Sequence, residues 1–140
     1  MRILAIRGSN LASLAGEFAI DFEAEPLASS GIFAITGPTG AGKSTLLDAV
    51  CLALFAKIPR LNAAPDRSQV GGEGDDTLSA KDARSILRHG TGEGYAEVDF
   101  RMPGGATYRA RWSVRRARGQ AEGRLQNNEH TFEPVSYTHL

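Results

Sequence analysis

The nine residues Gly37-Pro38-Thr39-Gly40-Ala41-Gly42-Lys43-Ser44-Thr45 fill the pattern G-x-x-x-x-G-K-[ST], whose chemistry is the cradling of a nucleoside triphosphate. Small residues let the backbone curl until successive N–H groups point inward at phosphate oxygens. A helix beginning near Lys43 adds the positive end of its dipole. Lys43 is placed to reach the β- and γ-phosphates as a point charge. The Ser44 hydroxyl completes the coordination of a bridging Mg²⁺, and Thr45 offers a second hydroxyl near the α-phosphate.

Such a loop works only between two buried elements. Upstream, Gly31-Ile32-Phe33-Ala34-Ile35-Thr36 is a short β-branched and aromatic run, which predicts a strand buried on both faces. Downstream, Leu46, Leu47, Val50, Cys51, Leu54 and Phe55 recur at helical spacing, with Ala49, Leu52 and Ala53 between them. This predicts a core helix, apolar nearly all round, that ends near Lys57 before Pro59. Read this way the chain is an α/β P-loop protein, and the alternative of a ligand-free glycine turn does not explain the flanks.

The 140 residues suffice for one compact domain, and not for two of average size. The formal net charge of zero hides a sorting by segment. Glu17, Asp21, Glu23 and Glu25 precede the loop, while arginines crowd the end. Cys51 is the single cysteine; it allows no internal disulfide and reads as a packed thiol in a reducing interior. The first residues are charged too early for a signal peptide, and no apolar run reaches membrane-spanning length. The expected location is the cytoplasm, with no membrane contact.

Residues 2–7 read as a first strand, and the alternation of Phe18, Ile20 and Phe22 against Glu17, Asp21 and Glu23 as a second. Together they predict an antiparallel edge hairpin, wet on one face. From Pro59 to Thr77 the chain has too little apolar content to pack and reads as a mobile loop. Ser79 offers an N-cap to a short helix over residues 80–88, stopped at His89-Gly90. Ala96, Val98 and Phe100 then alternate with Glu97, Asp99 and Arg101, and Tyr108, Ala110, Trp112 and Val114 with Arg109, Arg111, Ser113 and Arg115. Pro103-Gly104-Gly105 turns this second hairpin.

Arg109, Arg111 and Arg115 share the outer face of that strand, and Arg116, Arg118 and Arg124 continue into a segment where alternation fails. Two readings stand side by side. One is a solvated edge kept soluble by charge, or paired with Glu97 and Asp99 on the neighbouring strand. The other is a track for phosphates that binds nucleic acid by its backbone, without base stacking. His89, His130 and His139 are scattered, with no Cys or acidic partner at a metal-ligand spacing, and no zinc site is assigned.

Several separated blocks match a known family. These are Ile3-Leu4-Ala5-Ile6-Arg7, Asn10-Leu11-Ala12-Ser13-Leu14, Gly16 to Phe22, Gly31 to Ala49, Arg88-His89-Gly90-Thr91, Ala96 to Phe100, Tyr108 to Trp112 and Arg115 to Arg118. Over roughly residues 1–130 the chain resembles the start of the SbcC family, the ATPase subunit of the bacterial SbcC–SbcD nuclease complex.

The resemblance implies an SMC-like member of the ABC ATPases, in which two ATPase lobes sit at the ends of a long antiparallel coiled coil. Residues 1–133 would be the N-terminal, P-loop part of such a head, with antiparallel hairpins flanking the P-loop strand and helix; residues 134–140 would be an atypical tail at a truncation point. It further implies that Gly37 to Thr45 hold ATP and Mg²⁺, and that the partners are an SbcD-like nuclease subunit, double-stranded DNA and a second copy of the ATPase. ATP-driven engagement of the heads would then control DNA end processing in double-strand break repair and recombination. The Q-loop glutamine, the signature motif, and the Walker B aspartate with its catalytic glutamate have no counterpart here, and no heptad pattern appears. Two alternatives remain. A stand-alone P-loop kinase is disfavoured by the hairpin before the loop, and a DNA-tethering SMC-like ATPase would lack the nuclease partner.

Overall fold

The computed structural model describes residues 1–63, 69–70 and 78–136. Alternating apolar and polar residues build a five-stranded antiparallel sheet in the order β2-β1-β5-β6-β7. Its strands are β1 (Arg2–Leu11), β2 (Leu14–Asp21), β5 (Glu93–Arg101), β6 (Thr107–Arg115) and β7 (Glu129–Pro134). The expected hairpins are both present, with β2 at one edge and β1 in the interior, where it also pairs with β5. At the β5–β6 turn, Met102 N–H donates to the Ala106 carbonyl at 2.9 Å and Gly105 N–H to the Met102 carbonyl at 2.9 Å. Between these elements, β3 (Gln69–Val70) and β4 (Leu78–Ser79) form a small separate ladder.

One face of the sheet carries the core. Leu11, Ala96, Val98, Ala110 and Trp112 are fully buried there, together with Ala49, Leu52 and Ala53 of α1 (Lys43–Phe55), which lies across β1, β5 and β6. At the far end of α1, His130 of β7 reaches the Ala53 carbonyl, with Nε2 at 2.7 Å. A carbonyl only accepts, so this nitrogen carries the proton.

Four expectations need correction. Residues 31–36 form neither strand nor helix, and Ile32 is 93% exposed. A strand buried on both faces needs a ladder partner, and none of the described residues pairs with it. The described residues also leave part of α1 uncovered, so it is not buried all round, and Leu47 and Phe55 are exposed. The helix expected over residues 80–88 is a 3-10 turn, Ala83–Ile86, capped by Asp82 rather than Ser79. Asp82 accepts from the Arg84 N–H at 2.9 Å and starts the turn, which ends at Leu87 because the chain there turns extended, bridging to Leu11 while Arg88 N–H bonds the Asn10 carbonyl at 2.9 Å. The failing alternation after Arg116 hides an edge strand, β7, whose Pro134 pairs with Tyr108 one residue into the expected tail. The loop expected from Pro59 to Thr77 begins as a 3-10 turn, Pro59–Ala63; residues 64–68 and 71–77 of it, like residues 137–140 of the tail, lie outside the described residues.

Candidate functional site

The glycine loop enters α1 through two residues that only glycine adopts at ease, Gly40 at φ 82° and Gly42 at φ 102°. Gly42 is also pressed against the β1–β2 turn: a Cβ there would lie 2.4 Å from Leu14 Cδ2. No side chain caps the helix at Gly42, so the first-turn N–H groups keep their capacity for an anion.

Lys43, Ser44 and Thr45 line a cavity of about 380 Å³ over this helix start, closed by Ser13 on one side and Arg60 on another. Lys43 Nζ donates to the carbonyls of Gly37 and Pro38, the latter at 2.9 Å. Ser44 is exposed and Thr45 is buried. The structure therefore brings the loop's cation, both hydroxyls and the free helix start together in one cavity. That set fits a magnesium-bound polyphosphate: amides and an ammonium for the oxygens, a hydroxyl for the metal.

Sequence reasoning missed two residues of this neighbourhood. Asp48, 5% exposed, lies one turn beyond Ser44 and accepts from Arg60 through Nε at 2.7 Å and through NH2. The pair ties the Pro59–Ala63 turn back to α1 at the cavity's edge. A lone carboxylate within the apolar run Leu46–Phe55 of the helix was the signal, since such a group is buried only with a partner.

The arginine face is a charge network. Asp99, with no exposed side-chain surface, accepts from Arg109 Nε at 2.7 Å and NH2 at 2.9 Å, and from Arg7 NH2 at 3.0 Å. Glu97 accepts from Arg7 NH1 at 3.0 Å and Arg111 NH1 at 2.9 Å. Arg111 also stacks over Tyr95, 3.9 Å from the ring centre. Two of the three arginines singled out for nucleic acid are thus paired as the alternative reading described, while Arg115 is exposed and makes no ion pair among the described residues.

Away from the cavity, Asp82 is partly desolvated, which would raise its pKa, but the hydrogen bonds and charge of Arg84 outweigh this and hold it below the ordinary carboxylate value. Arg84 is raised in turn, chiefly by its hydrogen bond to Asp82. No described helix is long and apolar enough to cross a membrane.

A family model described as an AAA domain matches residues 5–138. The chain is 57% identical over 96% of its length to the SbcC subunit of the SbcCD nuclease of Pseudomonas aeruginosa, of which it covers 11%. It is 54% identical over 90% of its length to the protein of the same name in Rhodobacter capsulatus, covering 10% of it. In Bacillus subtilis the correspondingly named protein is 43% identical over 56% of the chain. The chain spans about a tenth of the length of the first two relatives. A complete phosphate loop at an uncapped helix start, in a chain matched almost end to end by that model, places the protein in the AAA domain family of P-loop NTPases.

Proposed function

We propose that this chain is the ATP-binding N-terminal lobe of an SbcC-type ATPase, part of a longer protein that drives DNA end processing with a nuclease partner. The observation that carries the reading is the cavity where Lys43, Ser44 and Thr45 meet the uncapped start of α1. The likeness to the SbcC subunit of the SbcCD nuclease over 96% of the chain supplies the biological setting.

The chain's own residues have distinct tasks in this reading. The amides after Gly40 hold phosphate oxygens in fixed directions, which removes reorganisation from the reaction. Lys43 exchanges the carbonyls of Gly37 and Pro38 for the β- and γ-phosphates, and its release loosens the loop to fit the ligand. Ser44 turns its hydroxyl to the magnesium site. Bound Mg²⁺ neutralises charge that develops on the phosphates. Thr45 packs beneath, near the α-phosphate.

The ABC- and SMC-like arrangement is supported by what surrounds the loop. Phe33 and Ile35, from the unpaired residues 31–36, line an apolar groove of about 320 Å³ together with Leu46 and Leu47 of α1. A strand supplied by the rest of a longer protein would pair with that segment and bury the groove. The residues that orient the attacking water would come from the same source, as would the contacts to a second ATPase head. The kinase alternative has less support, because β1 lies inside the very sheet on which α1 packs. A phosphate-release assay tests the reading: the 140-residue chain binds Mg-ATP and shows no steady turnover. Turnover that Lys43→Ala abolishes would instead establish a self-sufficient enzyme.

A further inference from the structure

The block Arg88-His89-Gly90 lies far along the chain from the phosphate loop, yet the fold brings Arg88 against the turn that walls the cavity. That turn is unusual in its backbone: Asn10 and Ala12 both take the left-handed conformation, at φ 53° and 46°, and neither is glycine. Left-handed alanine costs about 1–2 kcal/mol and persists only where the surroundings impose it.

Asn10 is held by its own side chain, which accepts from Gly16 N–H at 2.9 Å and donates to the Glu93 carbonyl at 3.1 Å; the rest of the turn is held by the segment 86–88. Arg88 N–H donates to the Asn10 carbonyl at 2.9 Å, Arg88 NH1 to the Ala12 carbonyl at 2.8 Å, and Ala12 N–H to the Ile86 carbonyl at 2.8 Å. Leu11, between the two left-handed residues, is fully buried and bridges to Leu87. Held in this shape, the turn presents Leu14 to Gly42, close enough to exclude a Cβ, and sets Ser13 at the cavity wall. Contacts therefore run without a break from the Arg88 guanidinium through the turn to the glycine that begins the phosphate-binding helix.

We propose that Arg88 is a positioning residue for the nucleotide cavity: it fixes the β1–β2 turn so that Leu14 and Ser13 hold Gly42 and the loop in the shape that accepts a triphosphate. The inference rests on the nucleotide-binding reading above. Arg88 touches no phosphate itself. Without its second hydrogen bond the Ala12 carbonyl loses its side-chain partner, the two backbone bonds to segment 86–88 hold the turn less tightly, and the wall behind Gly42 shifts with it.

The test is an equilibrium titration of the full chain with a fluorescent methylanthraniloyl ATP and Mg²⁺, read beside the nucleotide-free unfolding midpoint of each variant. Arg88→Ala and Leu14→Ala should each weaken binding about tenfold well below their unfolding midpoints, as expected when a loop is mispositioned. The double variant should be no weaker than the worse single, because both substitutions cut one chain of contacts. Arg88→Lys should recover part of the affinity, since its ammonium still donates to the Ala12 carbonyl. A lowered midpoint with parental affinity in Arg88→Ala would overturn the proposal. If that variant fails to fold, Leu14→Ala decides: a tenfold loss supports the proposal and parental affinity ends it. Lys43→Ala separates the two readings. Parental binding there removes the nucleotide site and this inference together, whereas lost binding there with parental binding in Arg88→Ala removes this inference alone.

Discussion

Asp99→Asn keeps the shape of the side chain at the centre of the arginine face and removes its charge. Asp99 has no exposed side-chain surface and accepts three hydrogen bonds from Arg7 and Arg109, whose side chains are 31% and 30% exposed. Breaking a buried pair from one side costs about 3–5 kcal/mol because the partner charge is stranded. Here both guanidiniums can turn partly to water, so the cost falls to about 2–3 kcal/mol. For a chain of 140 residues, an unfolding entropy of about 2.1 cal/mol/K per residue converts this to a fall of about 7–10 °C in the unfolding midpoint. Thermal unfolding followed by far-UV circular dichroism measures it directly. The fall should persist in about 0.5 M salt, since buried charges are poorly screened. A midpoint within about 2 °C of the parent would refute the reasoning and show the network to be solvated decoration. The same geometry bears on nucleic acid. Arg109 is held by Asp99 through Nε and NH2, so Arg109→Ala should act on stability before it acts on DNA affinity.

Three further outcomes follow from other parts of the structure. Gly42→Ala combines a left-handed backbone with a Cβ 2.4 Å from Leu14 Cδ2; it should destabilise the chain by about 1–3 kcal/mol in a denaturant titration and weaken Mg-ATP binding in the same preparation. Ile32→Ser, at a residue 93% exposed, should leave the chain's stability within about 0.5 kcal/mol while raising its solubility, and a larger loss would mean that residues 31–36 are packed. Because the folded pKa of Asp82 lies below its ordinary value, its pair with Arg84 stabilises fully at neutral pH, and that contribution is lost as pH falls through the ordinary carboxylate range to the lowered value. Asp82→Asn should therefore flatten the acid limb of the stability–pH curve, and an unchanged limb would argue against the pair.

The sequence was most legible where a local rule decides the outcome. The phosphate loop is read from spacing and from the backbone freedom of Gly40 and Gly42. The β5–β6 hairpin is read from period-two alternation and a Gly-Gly turn. Legibility failed where the partner is remote. Residues 31–36 carry every local mark of a buried strand, but a strand is made by its neighbours, and the described chain supplies none. The converse holds for β7, whose residues are exposed throughout and show no apolar rhythm; the hydrogen-bonding edge of β6 recruits it. Glu97 and Asp99 looked like the wet side of a strand, and their burial comes from arginines on both flanking strands that no single-strand pattern reveals. The left-handed Asn10 and Ala12 are likewise held by Ile86, Arg88 and Glu93, remote from them along the chain.

For the DNA role, Arg115 is the most accessible of the three singled-out arginines. If it contacts a phosphate backbone in the complete protein, Arg115→Ala should reduce the salt slope of duplex binding by about one without changing sequence preference, and an unchanged slope would return it to a solubilising role.

Isothermal calorimetry of Mg-ATP against the chain and its Lys43→Ala variant tests the nucleotide-binding claim most directly. Saturable one-to-one binding that needs the metal is expected of the parent, and a loss of at least about a hundredfold of the variant. The variant's unfolding midpoint should stay near that of the parent, because among the described residues Lys43 bonds only loop carbonyls. Equal affinity in the two proteins, or no binding by a folded parent, would contradict the assignment of Gly37 to Thr45 as a nucleotide site.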